Sequence, residues 1–154
     1  MQQDIQLVVI GTGDAYYEGF LKDMEAKYAN KVKVILAFNQ DLARKIYASS
    51  DLFLMPSKSE PCGLSQMIAS RYGAVPMVRE TGGLKDSIKD FGGENGNGYT
   101  FAGFEASALV DMVRRAVADF NSENWNELVE KVMNVDFSWK VSAKSYVQMY
   151  KKVL

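Results

Sequence analysis

The stretch DLFLMPSKSEPCGLSQMIASRYGAVPMVRETGGLKDSI, from Asp51 to Ile88, decides the fold. Its opening run, DLFLMP (Asp51 to Pro56), is apolar, too short for a helix and followed by turn-forming residues, so it reads as a strand. Leu64, Met67, Ile68 and Tyr72 then recur at helical spacing, and Gly73 is placed to end that helix. AVPMV (Ala74 to Val78) is the next strand, Thr81, Gly82 and Gly83 form the next loop, and Leu84 and Ile88 mark the next helix. Strand, helix, strand and helix in succession make a βαβ unit, because parallel neighbours need a crossover long enough to hold a helix.

The same alternation runs upstream. IQLVVIG and KVKVILAF (Lys31 to Phe38) are β-branched runs, separated by a helical face of Tyr17, Phe20, Leu21, Met24 and Tyr28. Leu42, Ile46 and Tyr47 mark a shorter helix before Asp51. Downstream, GYTF (Gly98 to Phe101) follows the turn-rich GGENGNG. Strands recur about every twenty to twenty-five residues, which predicts an α/β fold with an open parallel sheet and helices on both faces. From Glu105 onward the alternation stops, and helical patterns begin at Leu109, Trp125 and Tyr146 as appended C-terminal helices.

With 154 residues and 47% apolar content, the chain is expected to form a single domain, residues 1–154. Its 18 basic and 19 acidic residues leave a net charge of -1, so no whole-molecule field draws nucleic acid or an anionic membrane. Histidine is absent and cysteine occurs once, which excludes a Cys/His zinc site, a Ser-His or Cys-His dyad and an internal disulfide. A lone thiol fits a reducing cytoplasm. MQQDIQLVVIG is unlike a secretory signal, and no apolar run approaches a membrane span, so the expected location is cytoplasmic.

GTGD (Gly11 to Asp14) invites a dinucleotide-binding reading, but Tyr16 stands where that fingerprint needs a small residue. The simpler account is a glycine turn with Asp14 capping the helix. The SEPCGLS loop is more informative. It lies at the carboxyl end of the Asp51 strand, where ligands bind in open parallel sheets, with the backbone N–H groups of Cys62, Gly63, Leu64 and Ser65 at a helix start. Such groups favour an anion without any basic side chain. Glu60 beside them either grips sugar hydroxyls, since a carboxylate accepts several O–H bonds, or serves as an acid at a helix N-terminus. Spacing leaves both open. Cys62 has no histidine to activate it and reads as a pocket-lining residue. Thr81, Gly82 and Gly83 repeat the arrangement one unit later; they are either a flexible turn or the second wall of one crevice.

PSKSEPCGLSQMIASRYGAVPMVRETGGLKDSI closely resembles the signature of the bacterial glycogen synthases and plant starch synthases, retaining glycosyltransferases of the GT-B fold that use ADP-glucose. GTGD, KVKVILAFNQDLARKIYASSDLFLMPS and DFSWKVSAKSYVQMYKKVL also resemble their counterparts, so the likeness spans nearly the whole chain. The resemblance implies a Rossmann-like nucleotide-sugar-binding domain that binds ADP-glucose or ADP, with an α-1,4-glucan as acceptor. Glu60 would hold the donor glucose, and Cys62, Gly63, Leu64 and Ser65 would meet glucose and diphosphate. Phe38 would stack on adenine where the family usually has tyrosine. Ile68 stands where many relatives outside this branch carry a second glutamate, in agreement with the ADP-glucose branch. No metal or cofactor is called for. Family members are longer, so the resemblance further implies a fragment without the N-terminal glucan-binding domain. The first strand and helix of its own domain, which supply a basic pair, would be missing too. The isolated chain is then expected to be inactive. The last helix, from about Val141, would in such an enzyme cross back toward the other domain, so Tyr146 and Tyr150 are expected to expose apolar surface here. Alternatives from other classes are a nucleotide-binding or interaction module without catalysis, and a flavodoxin-like carrier or signalling receiver. A receiver would want an aspartate at the end of its third strand, where Met55 and Pro56 stand.

Overall fold

The computed structural model describes residues 3–93 and 95–153. Met1 and Gln2 of the N-terminal segment, Glu94 of the GGENGNG turn and Leu154 lie outside the described residues. The chain divides into two compact units, Met1–Ser49 and Ser50–Leu154.

In the first unit β1 (Leu7–Ile10) pairs in parallel with β2 (Val32–Ile35), Leu7 opposite Val32. The helix between them, α1 (Ala15–Lys27), starts at Asp14, whose carboxylate accepts from the Tyr16 N–H at 2.8 Å. Glu18 reaches back to accept from Gly13 N–H at 2.7 Å, so two otherwise unpaired donors at the helix start are satisfied. The capping account of GTGD is therefore the one realised. Glu25 ties α1 to β2 by accepting from Val34 N–H at 3.1 Å, Lys22 at 2.8 Å and Lys33 at 2.9 Å. Of the residues sharing one helical face, Tyr17 and Phe20 are exposed, whereas Leu21, Met24 and Tyr28 are half-buried. β2 also ends earlier than the expected Phe38, since β1 offers it four partners and no more. The helix α2 (Gln40–Ser49) follows, with Asn39 accepting from Leu42 N–H at 2.9 Å.

The second unit holds β3 (Leu52–Met55), β4 (Val75–Arg79) and β5 (Tyr99–Phe101), all parallel, in the order β3-β4-β5. Its helices are α3 (Ser65–Tyr72), α4 (Gly82–Ser87), α5 (Ala106–Phe120), α6 (Trp125–Asn134) and α7 (Trp139–Val153). Successive residues of the buried central strand face opposite ways. Val75 and Met77, with Tyr99 and Phe101, meet Met112, Ala116, Leu128 and Val132 of α5 and α6. Val78 meets Leu84 and Ile88 on the other face, with Phe137 beside them. Each fully buried aliphatic side chain is worth about 1.5–3 kcal/mol. Helices thus cover both faces of this sheet. Pro76 sits in the central strand without disrupting it: Val75 N–H donates to Asp51 on the β3 side, so the donor missing at Pro76 faces the β5 side, where pairing starts only at Met77. On α7, Tyr146 and Tyr150 are exposed, with ring centroids 6.3 Å apart.

β5 is fixed by Asp90, which accepts from Arg115 through both oxygens at 3.0 Å and from Thr100 N–H at 2.9 Å. Burial alone would raise the Asp90 carboxyl, but the Arg115 guanidinium and the Thr100 and Gly92 N–H groups outweigh it and hold it below its usual value. In the first unit Lys22, then Lys33 and Val34 N–H, hold the Glu25 carboxyl at about 2 against an ordinary 4.5. A depressed folded-state pKa adds stability that is complete above about pH 4.5 and is lost as pH falls toward 2. Glu25→Gln should therefore flatten the acid-side decline of the urea midpoint across that window. A variant whose midpoint falls in parallel with wild type would contradict this.

Candidate functional site

The site is built where β3 and β4 end. Arg79, the last residue of β4, turns its guanidinium onto the carbonyls of the neighbouring loops. Nε donates to Ser57 O at 2.8 Å, one terminal nitrogen to Lys58 O and the other to Ala102 O at 3.5 Å. The guanidinium carbon lies 5.2 Å from the Phe104 ring centroid. A planar fork with fixed donor directions can hold two loops at once, which an ammonium on a flexible stem does less well. The loop that carries Glu60 is thus set by the end of the adjacent strand.

A second contact joins this loop to the start of α4. Gly83 N–H is shared between Glu60 O at 3.1 Å and Pro61 O at 3.2 Å. The approach is so close that a Cβ on Gly82 would fall on the Glu60 carbonyl, and one on Gly83 on the Cys62 backbone. Gly82 also has a φ of 43°, a left-handed conformation that favours glycine. Thr81, Gly82 and Gly83 therefore abut the loop that carries Glu60. Glu60, Cys62, Gly63, Leu64 and Ser65 gather with them at the carboxyl edge of one sheet. Phe38 belongs to the first unit, in the loop after β2, with 85% of its surface exposed.

The chemistry of the edge follows from what is left unpaired. The half-buried Glu60 carboxylate has no hydrogen-bond or ion-pair partner among the described residues and caps no helix. α3 starts at Leu64 with no side-chain cap and no acid in its first turn. Among the described residues, Gly63 and Leu64 N–H have no backbone acceptor. An acceptor of hydroxyl protons thus stands beside a group of donors open to an anion. The Cys62 thiol is exposed, 3.7 Å from Gly63 O. Among the described residues no group of three or more His, Cys, Asp or Glu is placed to hold a metal.

The sequence reading of α3 itself needs correction. Leu64, Ile68 and Tyr72 are exposed, and the buried face is Gln66, Ala69 and Ser70. α3 lies against β4 and α6 so closely that small residues fill the contact, and Gln66 is drawn inward by loop carbonyls. Gln66 and Arg79 were both missed as site-forming residues. The signal for Gln66 was a polar residue on the stripe of Ala69 and Ser70; Arg79 offered only its place at a strand end.

Comparison with known proteins gives the family of the chain. Residues 1–132 match the family described as glycosyl transferases group 1. A glycogen synthase of Bacillus cytotoxicus is 48% identical over 157 residues, covering 100% of this chain and 33% of that protein. One of Clostridium acetobutylicum is 50% identical over 159 residues, again 100% of this chain and 33% of the relative. Among solved structures, the catalytic domain of starch synthase IV from Arabidopsis thaliana, bound to ADP and acarbose, superposes with a TM-score of 0.84 at 37% identity. The match covers 96% of this chain and 32% of that one. The parallel α/β fold is the kind found in GT-B glycosyltransferases. The chain belongs to the group 1 glycosyl transferases, and it spans about a third of the length of the curated glycogen synthases it matches.

The abutment at Gly83 predicts an asymmetry among the glycines. Gly83→Ala should lower unfolding stability by roughly 2 kcal/mol or more, because only backbone lies in the path of the new methyl. Gly92→Ala meets nothing closer than Asp90 Oδ1 at 3.6 Å and should stay within about 0.5 kcal/mol of wild type. Urea unfolding of both variants checks the pair; equal effects would contradict the contact.

Proposed function

We propose that this chain is the donor-binding part of a retaining glucosyltransferase of the glycogen and starch synthase type. The full enzyme would act in the cytoplasm, moving glucose from ADP-glucose to the nonreducing end of an α-1,4-glucan. The observation that carries this reading is the unpaired Glu60 carboxylate beside the acceptor-free N–H groups of Gly63 and Leu64. A sugar joined to a diphosphate needs that pairing: hydroxyls that donate and phosphate oxygens that accept. The EPCGL run and the family membership support it.

In this account Glu60 accepts hydrogen bonds from the donor glucose and fixes its orientation. The bond between glucose C1 and the diphosphate oxygen breaks, and its electron pair leaves with ADP. The N–H groups from Cys62 to Ser65 and the dipole of α3 stabilise the charge that builds on the leaving oxygen. The acceptor hydroxyl forms the new bond to C1 and gives up its proton to the departing diphosphate oxygen. Thr81, Gly82 and Gly83 would form the second wall of the crevice, held against the Glu60 loop by the close backbone approach that the two glycines allow. Phe38 offers a ring face to adenine, with the stacking surface of the tyrosine usual in the resembling family and without its hydroxyl.

Two measurements test the proposal. In the full-length enzyme of which we propose this chain to be part, Glu60→Gln should lower kcat about a hundredfold while stability changes by no more than about 1 kcal/mol. Unchanged kcat would overturn the role of Glu60. The chain alone should bind ADP weakly and transfer no glucose from labelled ADP-glucose to glycogen, since transfer needs donor and acceptor held together. Incorporation by a pure preparation would contradict the proposed division of labour.

A further inference from the structure

Gln66 is the most completely buried polar side chain among the described residues, at 0% exposure, and it touches both loops of the site. Its amide nitrogen donates to Gly63 O at 2.9 Å, to Cys62 O at 3.3 Å and to Ser87 Oγ at 3.1 Å. Two protons serve three acceptors, so one is shared between the loop carbonyls and the other goes to Ser87. Ser87 Oγ in turn donates to Gly83 O at 2.7 Å. The far end of this chain of bonds is itself anchored: Ser87 O accepts from the buried Asn97 side chain at 3.0 Å, and Asn97 Oδ1 accepts from Lys89 N–H at 2.7 Å.

The orientation of the amide is forced. Two loop carbonyls face it, so the NH2 group, which alone can donate, must be the one that points at them. Oε1 is buried with no donor among the described residues. An orphaned buried acceptor lowers stability, so packing alone does not account for a glutamine at this position. What the arrangement secures is the direction of the loop peptides. In a trans peptide the C=O of one residue and the N–H of the next point opposite ways, and no cis peptide occurs among the described residues. Drawing the Cys62 and Gly63 carbonyls onto Gln66 therefore turns the Gly63 and Leu64 N–H groups away from it. Gly63 permits the turn with a φ of 75°, and a Cβ there would fall 2.6 Å from Gln66 Oε1.

We propose that Gln66, braced by Ser87, is a positioning residue that holds the EPCGL loop so that the Gly63 and Leu64 N–H groups face the donor diphosphate. The assignment of the diphosphate rests on the donor-binding reading above; the holding of the loop does not. Gln66 touches no substrate and acts through the loop.

Backbone 15N relaxation and ADP titration of the chain test this together. In wild type, Gly63 and Leu64 should show order parameters near the rigid value of about 0.85, and in Gln66→Met these should fall below about 0.6 while Val75 and Val78 stay unchanged. Gln66→Glu keeps the shape and puts an acceptor where the donor was, and should give the same loss. Ser87→Ala, which leaves the loop bonds of Gln66 in place, should give a smaller one. ADP affinity should fall roughly tenfold or more in Gln66→Met, the scale of one lost hydrogen bond to a charged group, with adenosine affinity unchanged. Rigid Gly63 and Leu64 amides in folded Gln66→Met and Gln66→Glu would overturn the proposal, as would equal losses of ADP and adenosine binding. If wild type binds no ADP, the donor-binding reading fails, and the relaxation result still decides whether Gln66 holds the loop.

Discussion

The hydrogen bond that Gly83 N–H divides between the Glu60 and Pro61 carbonyls is the contact on which the site depends. It exists because two consecutive residues, Gly82 and Gly83, have no Cβ where one would strike the Glu60 and Cys62 backbone. Around it the remaining restraints fall into place. Arg79 holds the loop on the side of Ser57 and Lys58, and Gln66 with Ser87 holds it on the side of Cys62 and Gly63. All three attach to backbone carbonyls, so the loop is fixed by its main chain, while the Glu60 carboxylate and the N–H groups at the start of α3 are left for a ligand. A site that must meet both hydroxyls and phosphate gains from this, because groups ordered in advance lose less entropy on binding.

Much of the fold was legible because its signals are local. Each observed strand lies inside an apolar or β-branched run except β4, which extends one residue past its run to Arg79, and Gly73 ends α3 in the left-handed conformation with a φ of 85°. Asp14 at its cap is equally local, since the N–H that donates to it, that of Tyr16, lies two residues away. What was not legible depends on which backbone groups come together through space. The apolar spacing of Leu64, Ile68 and Tyr72 pointed to one face of α3, yet Gln66, Ala69 and Ser70 are buried, because the partners of Gln66 include a hydroxyl twenty-one positions away. Arg79 bonds to carbonyls, which every residue carries, so no pattern of side chains announces it. On α1 too, periodicity tells which residues share a face but not which of them are covered: Tyr17 and Phe20 are exposed and Leu21 and Met24 half-buried.

The candidate site was legible in its residues and not in its supports. Glu60 and the Cys62 to Ser65 run are recognisable because the EPCGL sequence is distinctive, and their place at a sheet edge follows from the strand before them. The choice between a sugar-gripping carboxylate and a helix-capping one stayed open on spacing. In the structure Glu60 makes no capping bond among the described residues. The chain belongs to the group 1 glycosyl transferases, and in our proposal the unpaired groups at the edge are where sugar transfer is located.

The central claim, that the two glycine-bearing loops abut through one shared N–H, is tested most directly by amide hydrogen exchange resolved at single residues. The account predicts that Gly83 exchanges roughly a hundredfold more slowly than Gly63 and Leu64, whose N–H groups have no acceptor among the described residues, although all three lie in loops or at helix starts. Exchange of Gly83 as fast as that of Gly63 and Leu64 would contradict it.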